Sequence, residues 1–156
     1  MEHERHEIHQ THMSRAIELA KRNPDAPFGC VIANEAGEAV AEAVNDAEQS
    51  PILHGETAAI MSLFDRDSGA DTSDLTLYTT AEPCPMCSSA ILWSGIPRLY
   101  YGTSIATLKR LGLDQIDLPC GEVSRRCSFG SFEVGGGLLE KECDALFEEM
   151  ARRLSV

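Results

Sequence analysis

The residues predict an α/β protein with a sheet layered between helices. Two observations carry this. Short runs rich in Val, Ile, Leu, Tyr and Thr alternate with longer segments of helical character, and no repeat, low-complexity tract or linker interrupts them. The 156 residues also suit one domain, 1–156, with a real core, at an ordinary 43% hydrophobic and 24% charged composition.

The elements follow in order. A helix is expected from about 4 to 22, where Ile8, His12, Ile17, Leu19 and Ala20 roughly make a stripe and "NPDAP" stops it. "FGCVIAN" (28–34) reads as a strand, "EAG" as a turn, and "EAVAEAV" (38–44) alternates as a second strand. "HGETAAIMSLFDR" (54–66) places Ala58, Ile60, Met61 and Phe64 near one helix face. "LTLYTT" (75–80) is a third strand. "CPMCSSAILWSG" (84–95) is a short helix that Gly95 ends, and "RLYYG" (98–102) is a fourth strand. Residues 104–111 suit another short helix, and 113–131 carry no clear pattern. "SFEV" (131–134) suits a short fifth strand, and 138–154 a closing helix with Leu138, Leu139, Ala145, Leu146 and Met150 in the core.

Composition excludes several classes. No apolar run approaches the ~20 residues that span a membrane, and the charged N-terminal stretch has no signal-peptide core. The expectation is a cytoplasmic protein with no membrane partner. The net charge is −12, and the basic doublets Lys109-Arg110, Arg125-Arg126 and Arg152-Arg153 form no long cluster. Phosphate contacts supply most nucleic-acid affinity, so no nucleic-acid partner is expected. The six cysteines, at 30, 84, 87, 120, 127 and 143, read as ligands or buried thiols rather than disulfides. His3, His6, His9 and His12 recur every three residues, a row that drifts round a helix and makes no tight ligand cluster.

The chemistry concentrates in "LYTTAEPCPMC" (77–87). Cys84 and Cys87 stand at i and i+3 where a helix opens, so both sulfurs share a face. Prolines 83 and 85 are tolerated there, and the positive end of the helix favours thiolates. Two thiolates suit zinc. Upstream, "LHGETAAI" offers His54 as a third ligand, and three protein ligands leave a position for water, as in catalytic zinc sites. Glu56, two residues on, diverges from His54 and can reach that water. Zinc lowers the pKa of water from ~16 to about 7, so a carboxylate can take its proton and pass it to a ring nitrogen and a departing amine. That is hydrolytic deamination. His-x-Glu followed by Pro-Cys-x-x-Cys is the signature of zinc deaminases, here His54-Gly55-Glu56 and Pro83 to Cys87.

On these motifs the chain resembles the cytidine/deoxycytidylate deaminase superfamily, well over residues 27–103 and loosely elsewhere. The resemblance implies a three-layer α/β/α fold with a five-stranded mixed sheet, one zinc per chain and a homodimer. "LHGE", "LYTT" and "GIPR" resemble fungal-type cytosine deaminases. "EPCPMC" with Trp93 behind it resembles bacterial guanine deaminases, and "KECDALF" (141–147) the closing helix of bacterial tRNA adenosine deaminases. The resemblance gives Asn45 the role of holding the base ring and Phe28 a place in the pocket wall. Gly55 allows close approach of backbone to substrate, and its N–H can bond a ring carbonyl. Glu82 either reads the substrate or sits at the helix N-terminus. Residues 104–130 are the source left for the lid, with Asp114 as an amine acceptor. Trp93, Phe147 and the buried cysteines read as core, and Asp144 as solvated. The expected function is zinc-dependent deamination of a free nucleobase-like small molecule, cytosine or guanine first. A tRNA adenosine deaminase is the alternative if Lys109, Arg110, Arg125 and Arg126 ring the pocket. A non-catalytic zinc-binding scaffold is the alternative if a fourth protein ligand closes the site.

Overall fold

A computed structural model describes residues 1–155. Its strands are β1 (Gly29–Ala33), β2 (Ala39–Val44), β3 (Thr76–Ala81), β4 (Arg98–Thr103) and β5 (Glu133–Gly135). Its helices are α1 (Glu2–Ala20), α2 (Gly55–Arg66), α3 (Pro85–Ser94), α4 (Ile105–Arg110), α5 (Cys120–Arg125) and α6 (Glu140–Leu154).

The strands form one mixed sheet in the order β2-β1-β3-β4-β5. β1 is antiparallel to both β2 and β3, while β3, β4 and β5 run parallel. Helices α1 and α6 pack on one side of the sheet, α2 and α3 on the other with α5 against α3. The three-layer arrangement and five-stranded mixed sheet expected from the sequence are therefore present. β1 and β3 are buried at every position, which is why they read as continuous apolar or Thr-rich runs rather than clean alternations. Successive residues still serve opposite layers: Cys30 and Ile32 join the α2–α3 core, Val31 and Ala33 the α1 core.

The register positions the functional end. Gly29 at the start of β1 pairs with Val44 at the end of β2, and Cys30 with Thr79 near the end of β3. Phe28, Asn45 and the segment after Ala81 must then converge at one edge of the sheet. The end of β4 joins them, because Ala81 pairs with Thr103.

Several burial expectations are corrected. Trp93 is not core: it is 76% exposed, with its ring tilted against Phe129 at a centroid distance of 4.3 Å. Helix α3 buries Cys87, Ser88, Ile91 and Leu92, and Trp93 falls on the remaining face. Helix α2 buries Glu56, Ala59, Ile60 and Leu63, an i, i+3, i+4, i+7 stripe that leaves Met61 off it and exposed. In α6 the buried stripe is Cys143, Phe147 and Ala151; Leu146 and Met150 are half-buried and Ala145 is exposed. Ile8 on α1 is also exposed, and Cys127 is only half-buried. Asp144 is not simply solvated: it accepts a hydrogen bond from the Thr103 hydroxyl at 2.6 Å. The unpatterned stretch 113–131 contains α5.

Candidate active site

Two helix starts meet at this edge. His54 is the N-cap residue of α2 and Cys84 that of α3, both with extended backbone. Cys87 lies in the first turn of α3, and Pro85 opens that helix where a missing N–H costs nothing. Gly95, at φ 76°, ends α3 with its N–H returned to the last turn, as a left-handed glycine cap does.

His54 Nδ1 lies 3.5 Å from both the Cys84 and the Cys87 sulfurs, and the three ligand atoms all fall within 4.8 Å of one another. The 3.5 Å separations match the edges of a tetrahedron whose metal bonds are about 2.0–2.3 Å, as for zinc with His and Cys. Among the described residues no fourth His, Cys, Asp or Glu joins this cluster. The Cys87 hydrogen bond draws the Cys84 thiol down to about 4, and His54 beside it adds to this. Cys87, sharing that proton and buried, is held well above its ordinary value. The Cys84 contact raises the His54 ring in turn.

Glu56, 3% exposed, sits in the first turn of α2. Burial pushes its carboxyl above the usual range, and a hydrogen bond from the Thr79 hydroxyl at 2.5 Å pulls the other way. Thr79 is fully buried in β3. It fixes one carboxylate oxygen, Oε1. Thr79 was not singled out by sequence, because its contact with Glu56 crosses from strand to helix.

A cavity of about 250 Å³ opens beside these groups. Phe28, Asn45, His54, Glu56, Glu82, Cys84 and Asp114 all line it, together with Leu113 and Gln115, which carry no sequence signal, and Met150, which the sequence places in the core. Phe28 leans on Phe147 at a ring distance of 5.0 Å. Asn45 is 9% exposed. Its N–H donates to the Phe28 carbonyl at 3.0 Å, and its Oδ1 accepts from the Ala47 N–H at 3.1 Å. The Ala47 bond orients the amide and leaves Nδ2 as the donor for a ligand. Both Glu82 oxygens are engaged by backbone amides, of Ile105 at 3.0 Å and Cys120 at 2.8 Å.

Gly55 does not line the cavity. Its close approach is to the protein: a Cβ there would stand 2.3 Å from the Phe28 carbonyl oxygen. Gly55→Ala is therefore expected to push α2 off the start of β1. Overpacking against backbone costs about 3 kcal/mol, which lowers the Tm of a chain this size by roughly 10 °C. A thermal melt checks this, and an unchanged Tm would contradict the packing argument.

The donor set suits zinc, and a buried carboxylate next to it on this three-layer sheet defines a zinc-dependent deaminase. The chain belongs to the cytidine and deoxycytidylate deaminase zinc-binding family, whose model matches residues 6–103. It is 32% identical over 139 residues to a probable cytosine deaminase from Schizosaccharomyces pombe, covering 84% of this chain and 85% of that one. It is 33% identical over 126 residues to a guanine deaminase from Bacillus subtilis, covering 73% and 80%. The solved guanine deaminase of Nitrosomonas europaea superposes with a TM-score of 0.80 over 92% of this chain and 84% of that one, and at 24% identity it speaks for the fold.

Proposed function

We propose that this chain hydrolytically deaminates a free nucleobase or close heterocycle, with cytosine and guanine the leading substrates, and that residues 1–156 act as one catalytic domain. The observation that carries the reading is the His54–Cys84–Cys87 cluster with buried Glu56 beside it, both opening onto a 250 Å³ cavity of the size that suits a small planar ring.

His54, Cys84 and Cys87 would hold zinc, which would supply Lewis-acid activation of water and stabilise the charge that develops on addition. Glu56 takes the proton from that water and delivers it to the ring nitrogen next to the amino-bearing carbon. It then takes the proton of the hydroxyl now on that carbon and passes it to the amine, so that the C–N bond breaks, ammonia leaves and the carbon keeps the oxygen as a carbonyl. Thr79 holds the carboxylate at Oε1, so the other oxygen is the one placed for proton traffic. Asn45 Nδ2 donates to a ring acceptor. Phe28 and Leu113 wall the ring on apolar surface. Asp114, exposed at the cavity mouth, accepts from an amino or ring N–H group. The Gly55 N–H, whose residue packs on Phe28, is left out of the substrate contacts.

The RNA alternative lacks its basic rim. No Lys or Arg lines the cavity. Lys109 pairs with Asp117 at 2.6 Å, Arg125 and Arg126 both pair with Glu122, and Arg110 bonds the Thr107 hydroxyl. The scaffold alternative calls for a fourth protein ligand, and the cluster among the described residues has three.

The six cysteines form no disulfide, which supports a reducing compartment such as the cytoplasm, and among the described residues no helix is long and apolar enough to cross a membrane. Trp93 and Phe129, 76% and 55% exposed, offer an apolar patch for a second copy of the chain. A purified chain that sediments as a monomer would sink the dimer.

Ammonia release from free bases, their nucleosides and tRNA, measured in parallel, tests the reading. Turnover of a free base with tRNA inert supports it. Turnover of tRNA alone would move the assignment to the RNA-modifying class.

A further inference from the structure

Glu82 stands where β3 passes into the metal-ligand helix, and it is 7% exposed. Its backbone N–H donates to the Thr103 carbonyl at 2.7 Å, fixing it to the end of β4. Each side-chain oxygen then takes one backbone amide: Oε1 that of Ile105 at 3.0 Å, Oε2 that of Cys120 at 2.8 Å. Ile105 and Cys120 are the first residues of α4 and α5. Amides in a first turn have no partner within their own helix, so one carboxylate satisfies orphan donors of two helices at once. A buried carboxylate is costly unless its oxygens are hydrogen-bonded, which makes the two attachments depend on each other.

The chain between those helices carries Leu113, Asp114 and Gln115, three of the cavity-lining residues. Leu111 and Leu113 anchor the start of this stretch on the cluster of Leu108, Ala81 and Phe147, and beyond them it is held lightly. Lys109 and Asp117 form an exposed ion pair, and such pairs contribute little. Glu82 holds Cys120, which directly follows the stretch, and Ile105, which opens the short helix α4 that leads into it.

We propose that Glu82 is a positioning residue that sets the Leu113–Gln115 wall against the substrate by holding Ile105 and Cys120, rather than a residue that reads the substrate itself. The catalytic part of this inference rests on the deaminase reading. Glu82→Gln keeps the size but offers a single acceptor oxygen to two donors, so one attachment is lost. Losing a hydrogen bond to a charged group is worth roughly a tenfold change. The expected result is a rise in KM of about that size, with a much smaller loss in kcat and full zinc content. Amide exchange at Ile105 and Cys120 should quicken in the same variant. Glu82→Asp, charged but one methylene shorter, should behave alike, and it serves if the Gln variant folds poorly. Because the effect passes through the wall, the KM increment should shrink when Asp114→Ala is already present. An undiminished increment in the double variant would overturn the proposal and make Glu82 a direct substrate contact. Unchanged exchange at both amides would overturn it as well. The exchange measurement needs no turnover, so it judges the clamp even if no heterocycle is deaminated, and failure of the deaminase reading is seen separately in the wild type.

Discussion

Glu56→Gln lowers kcat by roughly a thousandfold or more while zinc content and KM stay close to wild type. The size follows from the chemistry. A positioned acid–base group contributes about 10²–10⁴-fold, and in the proposed mechanism one carboxylate serves both the proton taken from water and the protons given to the ring nitrogen and the amine. Glutamine keeps the shape and can still accept the Thr79 hydrogen bond, so the buried start of α2 should not rearrange. What is lost is the ability to exchange a proton. Steady-state kinetics with a metal assay on the same sample decides the matter. A variant within tenfold of wild type would remove Glu56 from the proton path. A variant that has lost its zinc would show that Glu56 supports the metal cluster instead.

The second large effect comes from the ligands. Cys87→Ala removes a fully buried sulfur 3.5 Å from His54 Nδ1. It should abolish stoichiometric zinc binding and measurable turnover together. The stability of the folded chain should fall too, because zinc ties the start of α2 to the start of α3. A ligand held at roughly a thousand times its Kd stabilises by about 4 kcal/mol, and for a chain of this size that is a Tm loss of roughly 10 °C. Chelation of the wild type should give the same drop, reversed by added zinc, whereas Cys87→Ala should not respond to zinc. A chelated wild type that keeps its activity would contradict a catalytic metal.

The fold and the metal cluster were legible for the same physical reason. Strands β1 to β4 and helices α2 and α3 are marked by local patterns: apolar runs, a glycine stop, prolines at a helix start. The three ligands lie on the first residues of elements that the local pattern already delimits. The cavity residues Phe28 and Asn45 are reached through resemblance and Asp114 as a candidate in the stretch left for the lid, and the sheet register brings the first two to the same end of the strands as Cys84. Facing direction was not legible. Trp93 and Met61 are apolar residues on helices, and what decides their exposure is which side of the helix the sheet occupies. Thr79 and Gln115 are silent because their partners are distant in sequence and their residue types are ordinary, and Met150 reads only as core. Glu82 shows the limit most clearly. Its position before Pro83 was visible, but its two amide partners lie in segments 23 and 38 residues further along the chain.

The most direct test of the central claim is to incubate the zinc-loaded protein with cytosine and with guanine in water enriched in oxygen-18, then weigh the recovered base. Hydrolytic deamination predicts release of one ammonia per base converted and a product whose new carbonyl carries the heavy oxygen. Both bases recovered unchanged, with zinc bound and no ammonia, would contradict it.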